Sequence, residues 1–323
     1  MIPPQSLCTK CVFTLIPVGD IYPTTRRAKI RVVEGYMNQA GQFPEERIAI
    51  SHVVLIASMH FLAVAALFVP SRAGLLCLLV MHVITGLGVT IGYHRLLSHG
   101  AVKTSPFIRG VFALFGTLSL QGGPLLWVTF HRAHHLWNED RRDPHSSARG
   151  FLWSHLLWMF YKNPNGFSQM RSRTLVRDLS SSSWLKFLDK NAMAINLTAA
   201  AIFFVIFRRM DLLLWAFPLR IVVLWHCAWL VNSYCHRASL VGKERKSILR
   251  NSFLVAMIGY GEGWHQNHHL RPDSANFQHK WWQIDPGWMV IRILEISKLA
   301  KRNYKTRSGK RLGQEFRGKR IAA

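Results

Sequence analysis

The chain has 323 residues, half of them apolar, and carries a formal charge of +25. The apolar residues come in long blocks, which favours membrane spans over a soluble core. The Lys and Arg fall between and after those blocks, as positive-inside loops and anionic lipid heads require, and this argues against a nucleic-acid partner.

Residues 1–48 lack a charged start followed by a continuous apolar core, so no cleavable signal is expected and the segment reads as a cytoplasmic arm. Within it, Cys8 and Cys11 form a lone C-x-x-C that cannot close a four-thiolate site, and five cysteines in all give no disulfide framework. A spanning helix needs roughly 20 mostly apolar residues. Residues 53–69 and 73–93 meet that need, separated only by Pro70, Ser71 and Arg72, and predict a first hairpin. Residues 107–120 are apolar but short and run into Gln121-Gly122-Gly123-Pro124, so they predict an interfacial or re-entrant piece. Residues 192–207 and 212–231, separated by Arg208, Arg209, Met210 and Asp211, predict a second hairpin. Residues 248–261 are too short to cross, and Trp281, Trp282 and Trp288 suit either an interfacial anchor or core packing. From Lys298 onward the chain is basic and poor in apolar residues, a tail unable to fold by itself. The expected organisation is an arm (1–48), a membrane domain (49–297) and a tail (298–323). The expected fold is all-α and polytopic, with four transmembrane helices in two hairpins and a cytoplasmic helical cap carrying a di-metal site.

Eight of the sixteen histidines fall in three short windows: His94-Arg95-Leu96-Leu97-Ser98-His99, His131-Arg132-Ala133-His134-His135 and His265-Gln266-Asn267-His268-His269. A helix turns about 100° per residue, so the three imidazoles of an H-x-x-H-H run share one face. In the first window the two histidines are five apart, about 140° on an ideal helix, so they serve different metals or sit where the helix ends. Packed without metal, such triads would repel when charged and leave nitrogens unpaired when neutral. Eight nitrogens exceed the four positions of a zinc site and point to two ions, whose element imidazole alone does not choose. His52, His60, His82, His145, His155, His226 and His279 stand alone and are expected to be packing residues. The first window follows the second span, the second precedes the third span, and the third follows the fourth. All three then face one side, provided residues 107–120 do not cross, and the basic loops make that side cytoplasmic.

These boxes, in this order around two hairpins, resemble those of the membrane fatty acid desaturases over about residues 50–295. The likeness is to the Δ9 acyl desaturases in particular, which include the stearoyl-coenzyme A enzymes. The resemblance implies an enzyme that uses O2 and two iron ions to insert a cis double bond, at Δ9, into a saturated acyl chain. Trp229-Leu230-Val231-Asn232-Ser233-Tyr234-Cys235-His236 matches a family segment that ends in a ninth metal-binding histidine. The implied ligands are therefore His94, His99, His131, His134, His135, His236, His265, His268 and His269, with Asn232 acting through water from the same helix face as His236. Gln121, Trp127 and Trp229 match the acyl tunnel, and Lys162 a carrier headgroup contact. Animal enzymes have threonine at Ala228, and their coenzyme A-holding asparagine and arginine fall at Gly122 and Thr129. The runs Gln121-Gly122-Gly123-Pro124 and Gly261-Glu262-Gly263-Trp264 look closer to bacterial and cyanobacterial members, which leaves coenzyme A, acyl carrier protein and glycerolipid open as carriers. No heme-binding domain is evident, so a separate electron-donor protein is expected. The expected setting is a multi-pass protein of a bacterial cytoplasmic membrane, with both termini and the catalytic side cytoplasmic. Two rivals remain: a histidine-box hydroxylase or alkane oxygenase, and a membrane metal-binding or transport protein. The second would place its ligands at mid-membrane depth, whereas these boxes lie at span ends.

Overall fold

The computed structural model describes residues 46–137, 143–162, 175–241 and 244–303; Cys8, Cys11 and residues 304–323 of the basic tail lie outside them. In chain order the helices are α1 (Ile50–Leu67), α2 (Arg72–Ser98), α3 (Pro106–Thr117), α4 (Pro124–Trp137), α5 (Phe151–His155), α6 (Ser183–Lys190) and α7 (Ala192–Phe207). They continue with α8 (Met210–Tyr234), α9 (Phe253–Ile258), α10 (His265–Leu270) and α11 (Pro286–Ile296). Helices α1, α2 and α8 are long and apolar enough to cross a membrane, and α6 with α7, bent by 76° at their junction, makes a fourth candidate. On α1 only Ile56, Ala63 and Ala66 are buried, while Phe61, Leu67 and the following Phe68 point outward. A helix that is apolar on every face yet packed along a thin stripe has hydrocarbon as its solvent, which makes this a membrane protein.

The turn between α1 and α2 forms where expected, because Ser71 Oγ accepts from Gly74 N at 2.9 Å and caps α2. Trp215 on α8 donates its indole N–H to Val69 O at 2.8 Å and ties the start of that helix to the same turn. Ile56, Ala63, Leu78, Phe217, Ile221 and Trp225 fill the core between the three long helices.

Residues 107–120 form the short helix α3, capped by Ser105 and started by Pro106. Its last carbonyls are taken up by neighbouring helices. Asn196 donates to Thr117 O at 2.8 Å, Arg220 to Leu118 O at 2.9 Å and Trp225 to Ser119 O at 3.1 Å. A helix end packed away from water needs such partners, since its last carbonyls have none within the helix. Beyond it, Leu120 takes a left-handed φ of 56° and Tyr93 donates to Gly122 O at 3.1 Å, so the chain reverses into α4 on a held loop.

The all-α expectation needs amending. Strands β1 (Val102–Thr104) and β4 (Ala300–Arg302) pair antiparallel, as do β2 (His236–Val241) and β3 (Glu244–Leu249). The first pair carries ordered chain past Lys298: Ala300 is buried, and Asn303 N donates to Ala101 O at 2.9 Å. Residues 300–302 of the expected tail are therefore ordered, because backbone pairing with residues 102–104 supplies what apolar side chains do not. At the other end Ile48 bridges Tyr161 and Lys162 N donates to Arg47 O at 2.8 Å, so the arm is fastened before α1 begins. Trp288 packs with Ile91, Leu96 and Ile291, whereas Trp281 and Trp282 are exposed.

Candidate metal centre

Nine histidines meet in two adjacent groups. His94, His99, His131, His135 and His268 form one, and His134, His236, His265 and His269 the other, with the donor atoms of each group within 4.8 Å of one another. In the first, Nε2 atoms face each other at 3.0 Å (His94–His268), 2.8 Å (His99–His131) and 2.9 Å (His135–His268). In the second the spacings are 2.8 Å (His236–His265), 3.0 Å (His265–His269) and 3.2 Å (His134–His269). Nitrogens about 2.1 Å from one ion and at right angles lie about 3.0 Å apart, so these are the spacings of neighbouring ligands. The residues fit a pair of metal ions.

Each H-x-x-H-H box serves both groups. On α4, His131 and His135 turn to the first group and His134 to the second; on α10, His268 joins the first and His265 with His269 the second. The first box departs from ideal α geometry. From Gly88 to Ser98 α2 is wound as a π-helix, and His99 N donates to His94 O at 3.2 Å, five residues back. That wider winding stacks residues five apart, so both histidines enter the first group, with His99 at the helix end. Arg132 then locks box to box. Its guanidinium donates to Ser98 O at 2.9 Å and Leu97 O at 2.7 Å, the last carbonyls of α2, and pairs with Asp178 at 2.7 Å. His236 and Asn232 do not share a helix face as expected. Helix α8 ends at Tyr234, Cys235 N closes a wide turn onto Leu230 O at 3.3 Å, and His236 reaches the second group from the start of β2.

Two carboxylates face the groups from behind. Glu262 Oε2 lies 2.6 Å from His94 Nδ1, and Asp143 Oδ2 lies 2.7 Å from His134 Nδ1. An Nδ1–H donated to a carboxylate fixes the tautomer and leaves the Nε2 lone pair for a metal. Thr90 also donates to Glu262, and Arg95 stands 4.0 Å away. Burial alone would raise both carboxyls, but His94 and Arg95 around Glu262, and His134 and His145 around Asp143, outweigh it and hold both below the usual range. Burial, and then neighbouring charge, pushes His99, His131, His135, His236, His265, His268 and His269 well below the ordinary histidine value. Neutral imidazole is the form that binds metal.

A cavity of about 480 Å³ opens beside the groups, and His94, His131, His134 and His265 form part of its wall. Gln121, Trp127, Trp229 and Asn232 line it as well. Trp127 donates to Gln121 Oε1 at 3.3 Å and lies 5.1 Å from the His131 ring. Lys162 is exposed, next to Tyr161 at the wall. A mostly apolar cavity that meets two such histidine groups suits an aliphatic chain presented for oxidation.

The profile of the family described as "Fatty acid desaturase" matches residues 70–293. Over 253 residues the chain is 36% identical to an sn-2 palmitoyl-lipid 9-desaturase of Nostoc sp., covering 78% of this chain and 88% of the relative. It is 34% identical over 253 residues to an sn-1 stearoyl-lipid 9-desaturase of Synechocystis sp., covering 77% and 78%. It is also 34% identical to an acyl-CoA 5-desaturase of Anemone leveillei over 253 residues, 78% of each chain. The chain belongs to the fatty acid desaturase family. It is thus an oxidoreductase of fatty acyl chains.

Reading the sequence of this desaturase missed three residues around the centre. Glu262 lies three residues before the third box, and Asp143 and His145 lie in an Asp-Pro-His run beyond the second. The signal was a buried-acid requirement: a ligating histidine needs an acceptor at its other nitrogen. His145 was set aside as a lone histidine, yet its ring lies 4.5 Å from that of His134. Glu262→Gln and Asp143→Asn keep the side-chain shape and remove the charge. Each is expected to weaken metal binding by about 10–100-fold. Metal per protein after dialysis measures this, and wild-type retention in both variants would refute the orienting role.

Proposed function

We propose that this chain is an oxygen-dependent acyl-lipid 9-desaturase with a di-iron centre. The observation that carries the reading is the pair of histidine groups opening onto one apolar cavity, in a chain similar over three quarters of its length to lipid 9-desaturases. The nine histidines would hold two irons, Asn232 contributing through water. When bound, the irons supply the oxygen chemistry that removes hydrogen from two adjacent carbons. The chain's own residues position and exclude. Glu262 and Asp143 hold the Nδ1 protons of His94 and His134. Gln121, Trp127 and Trp229 set the bend of the acyl chain and so the carbons presented. Lys162 meets the headgroup at the cavity mouth. A glycerolipid is favoured over coenzyme A or acyl carrier protein, because two of the relatives above are named for lipid-linked chains and Gly122 and Thr129 replace the coenzyme A contacts of the resemblance.

In this reading α1, α2, α6 with α7, and α8 span the membrane as two hairpins, and the helices bearing the boxes cap them on the cytoplasmic side. Both termini, the arm and the basic tail, lie on that side too, where Lys and Arg concentrate. The setting is a bacterial cytoplasmic membrane, and electrons come from a separate donor protein. Expression in a host lacking this desaturation, followed by mass spectrometry of its lipids with double-bond localisation, tests the reading. A cis-9 monoene in the glycerolipids is expected. A hydroxylated chain would decide for the hydroxylase reading, and metal flux into vesicles without acyl product for the transport reading.

A further inference from the structure

Three histidines that stand alone in sequence form a second constellation. His60 on α1, His226 on α8 and His155 on α5 join end to end, with His60 Nε2 at 3.1 Å from His226 Nε2 and His226 Nδ1 at 3.0 Å from His155 Nε2. His60 Nδ1 faces Ile56 O at 2.7 Å. At the other end His155 Nδ1 faces Ser233 Oγ at 2.9 Å, and the Ser233 hydroxyl donates to Trp229 O at 2.9 Å. The rings form a string and do not surround a point, because His226 turns a different nitrogen to each neighbour. Such an arrangement passes protons; it does not chelate.

Counting hydrogens sharpens this. Five links run from Ile56 O to Trp229 O, each needing one hydrogen, and three neutral imidazoles with one hydroxyl supply four. The neutral string is one proton short, and a single added proton completes every link. Trp229 separates the string from the cavity, its ring 6.2, 5.0 and 5.7 Å from His60, His226 and His155. The Ser233 end adjoins Asn232, which lines that cavity. Among the described residues no carboxylate, lysine or arginine is hydrogen-bonded to the string, and the other titratable groups on its helices are His52 on α1 and Asp211, Arg220, Cys227 and Tyr234 on α8. Burial draws the His155 pKa below its usual value, so a proton held there is given up readily.

We propose that His60, His226 and His155 form a proton relay serving the Ser233–Asn232 side of the cavity. The proposal rests on the oxygen-dependent desaturation reading. In that reaction O2, two electrons, two protons and the two hydrogens taken from the acyl chain give one alkene and two waters. The relay supplies protons to that sum. A proton enters one ring nitrogen, the hydrogen on the ring's other nitrogen passes to the next group, and a proton leaves from the Ser233 hydroxyl; the string keeps its number of protons, and each ring is left in its other tautomer.

The test uses the full-length protein in lipid nanodiscs, loaded with iron and driven by an electron donor. His226→Gln keeps one donor and one acceptor but cannot pass a proton through its amide, and Ser233→Ala cuts the terminal link. Both variants are expected to keep wild-type iron content and melting temperature. Their rate should fall, by about tenfold or more for His226→Gln. The wild-type loss of rate with rising pH, as the string becomes harder to load, should disappear in both. Imidazole added to His226→Ala should restore part of the rate. Wild-type rates and pH profiles in both His226→Gln and Ser233→Ala would overturn the relay. So would a rate loss that merely tracks lost iron or a lowered melting temperature, which is the mark of a tie between helices. Failure of the wild-type protein to form any alkene would instead overturn the desaturation reading.

Discussion

Replacing His268 with Ala is expected to abolish desaturation and to lower the metal content by one ion per chain. His268 Nε2 faces both His94 Nε2, at 3.0 Å, and His135 Nε2, at 2.9 Å, so it stands between imidazoles brought by α2 and by α4. Its removal takes away one of five nitrogens and leaves a gap where two others converge. His134→Ala is the counterpart in the second group, and it also removes the imidazole that faces Asp143 Oδ2. Loss of activity in each case should exceed about 100-fold, since even the partner behind a ligand is worth about 10–100-fold. Iron per protein by elemental analysis, together with monoene formation in host lipids, measures both effects. Retained desaturation in both variants would sink the ligand assignment.

Asp285→Asn is expected to destabilise the whole cap. Asp285 is fully buried, and its carboxylate takes Arg95 NH2 at 3.0 and 3.1 Å. It also accepts from Trp288 N at 2.9 Å, which caps α11, and from Phe277 N at 3.1 Å. Arg95 is itself fully buried and lies 4.0 Å over the Phe277 ring, one residue after His94 of the first histidine group. Neutralising the acid leaves the buried guanidinium with only the more distant Glu262, 4.0 Å away, as counter-charge, a loss of about 3–5 kcal/mol. A melting temperature lower by roughly 5–15 °C should follow. Thermal unfolding of the iron-loaded protein in detergent measures it, and an unchanged midpoint would show that the pair contributes nothing. Joint replacement by Arg95→Met and Asp285→Leu should recover part of the loss, because a well-packed apolar pair needs no counter-charge.

The three histidine boxes were legible because helical spacing has to be written locally: H-x-x-H-H puts three imidazoles on one turn whatever the rest of the chain does. The hairpin turn at Pro70-Ser71-Arg72 was legible for the same reason, a break in apolar character with a capping serine. The failures have a different origin. The angle between His94 and His99 assumed α winding, and the π turns from Gly88 to Ser98 change it, although His99 does sit where the helix ends, one of the two placements expected. Gly88 and Gly92 lie close against the backbone of α3, where an added Cβ would strike Phe115, Gly116 and Phe112, so the wide winding accompanies a close helix contact that sequence spacing does not express. His60, His155 and His226 lie as much as 166 positions apart, and only packing of α1 and α5 against α8 brings them into one string. Strand β4, inside the expected tail, was not legible, because it is held by backbone pairing with β1, which leaves no mark in side-chain hydropathy.

By itself the sequence determined the membrane character, the three boxes and their order, since apolar length and ligand spacing are properties of contiguous residues. The tertiary structure decided how nine histidines divide between two groups, which acids stand behind them, and that isolated histidines join into one hydrogen-bonded string. Those depend on which helix faces meet, and that is fixed by packing between residues far apart in the chain.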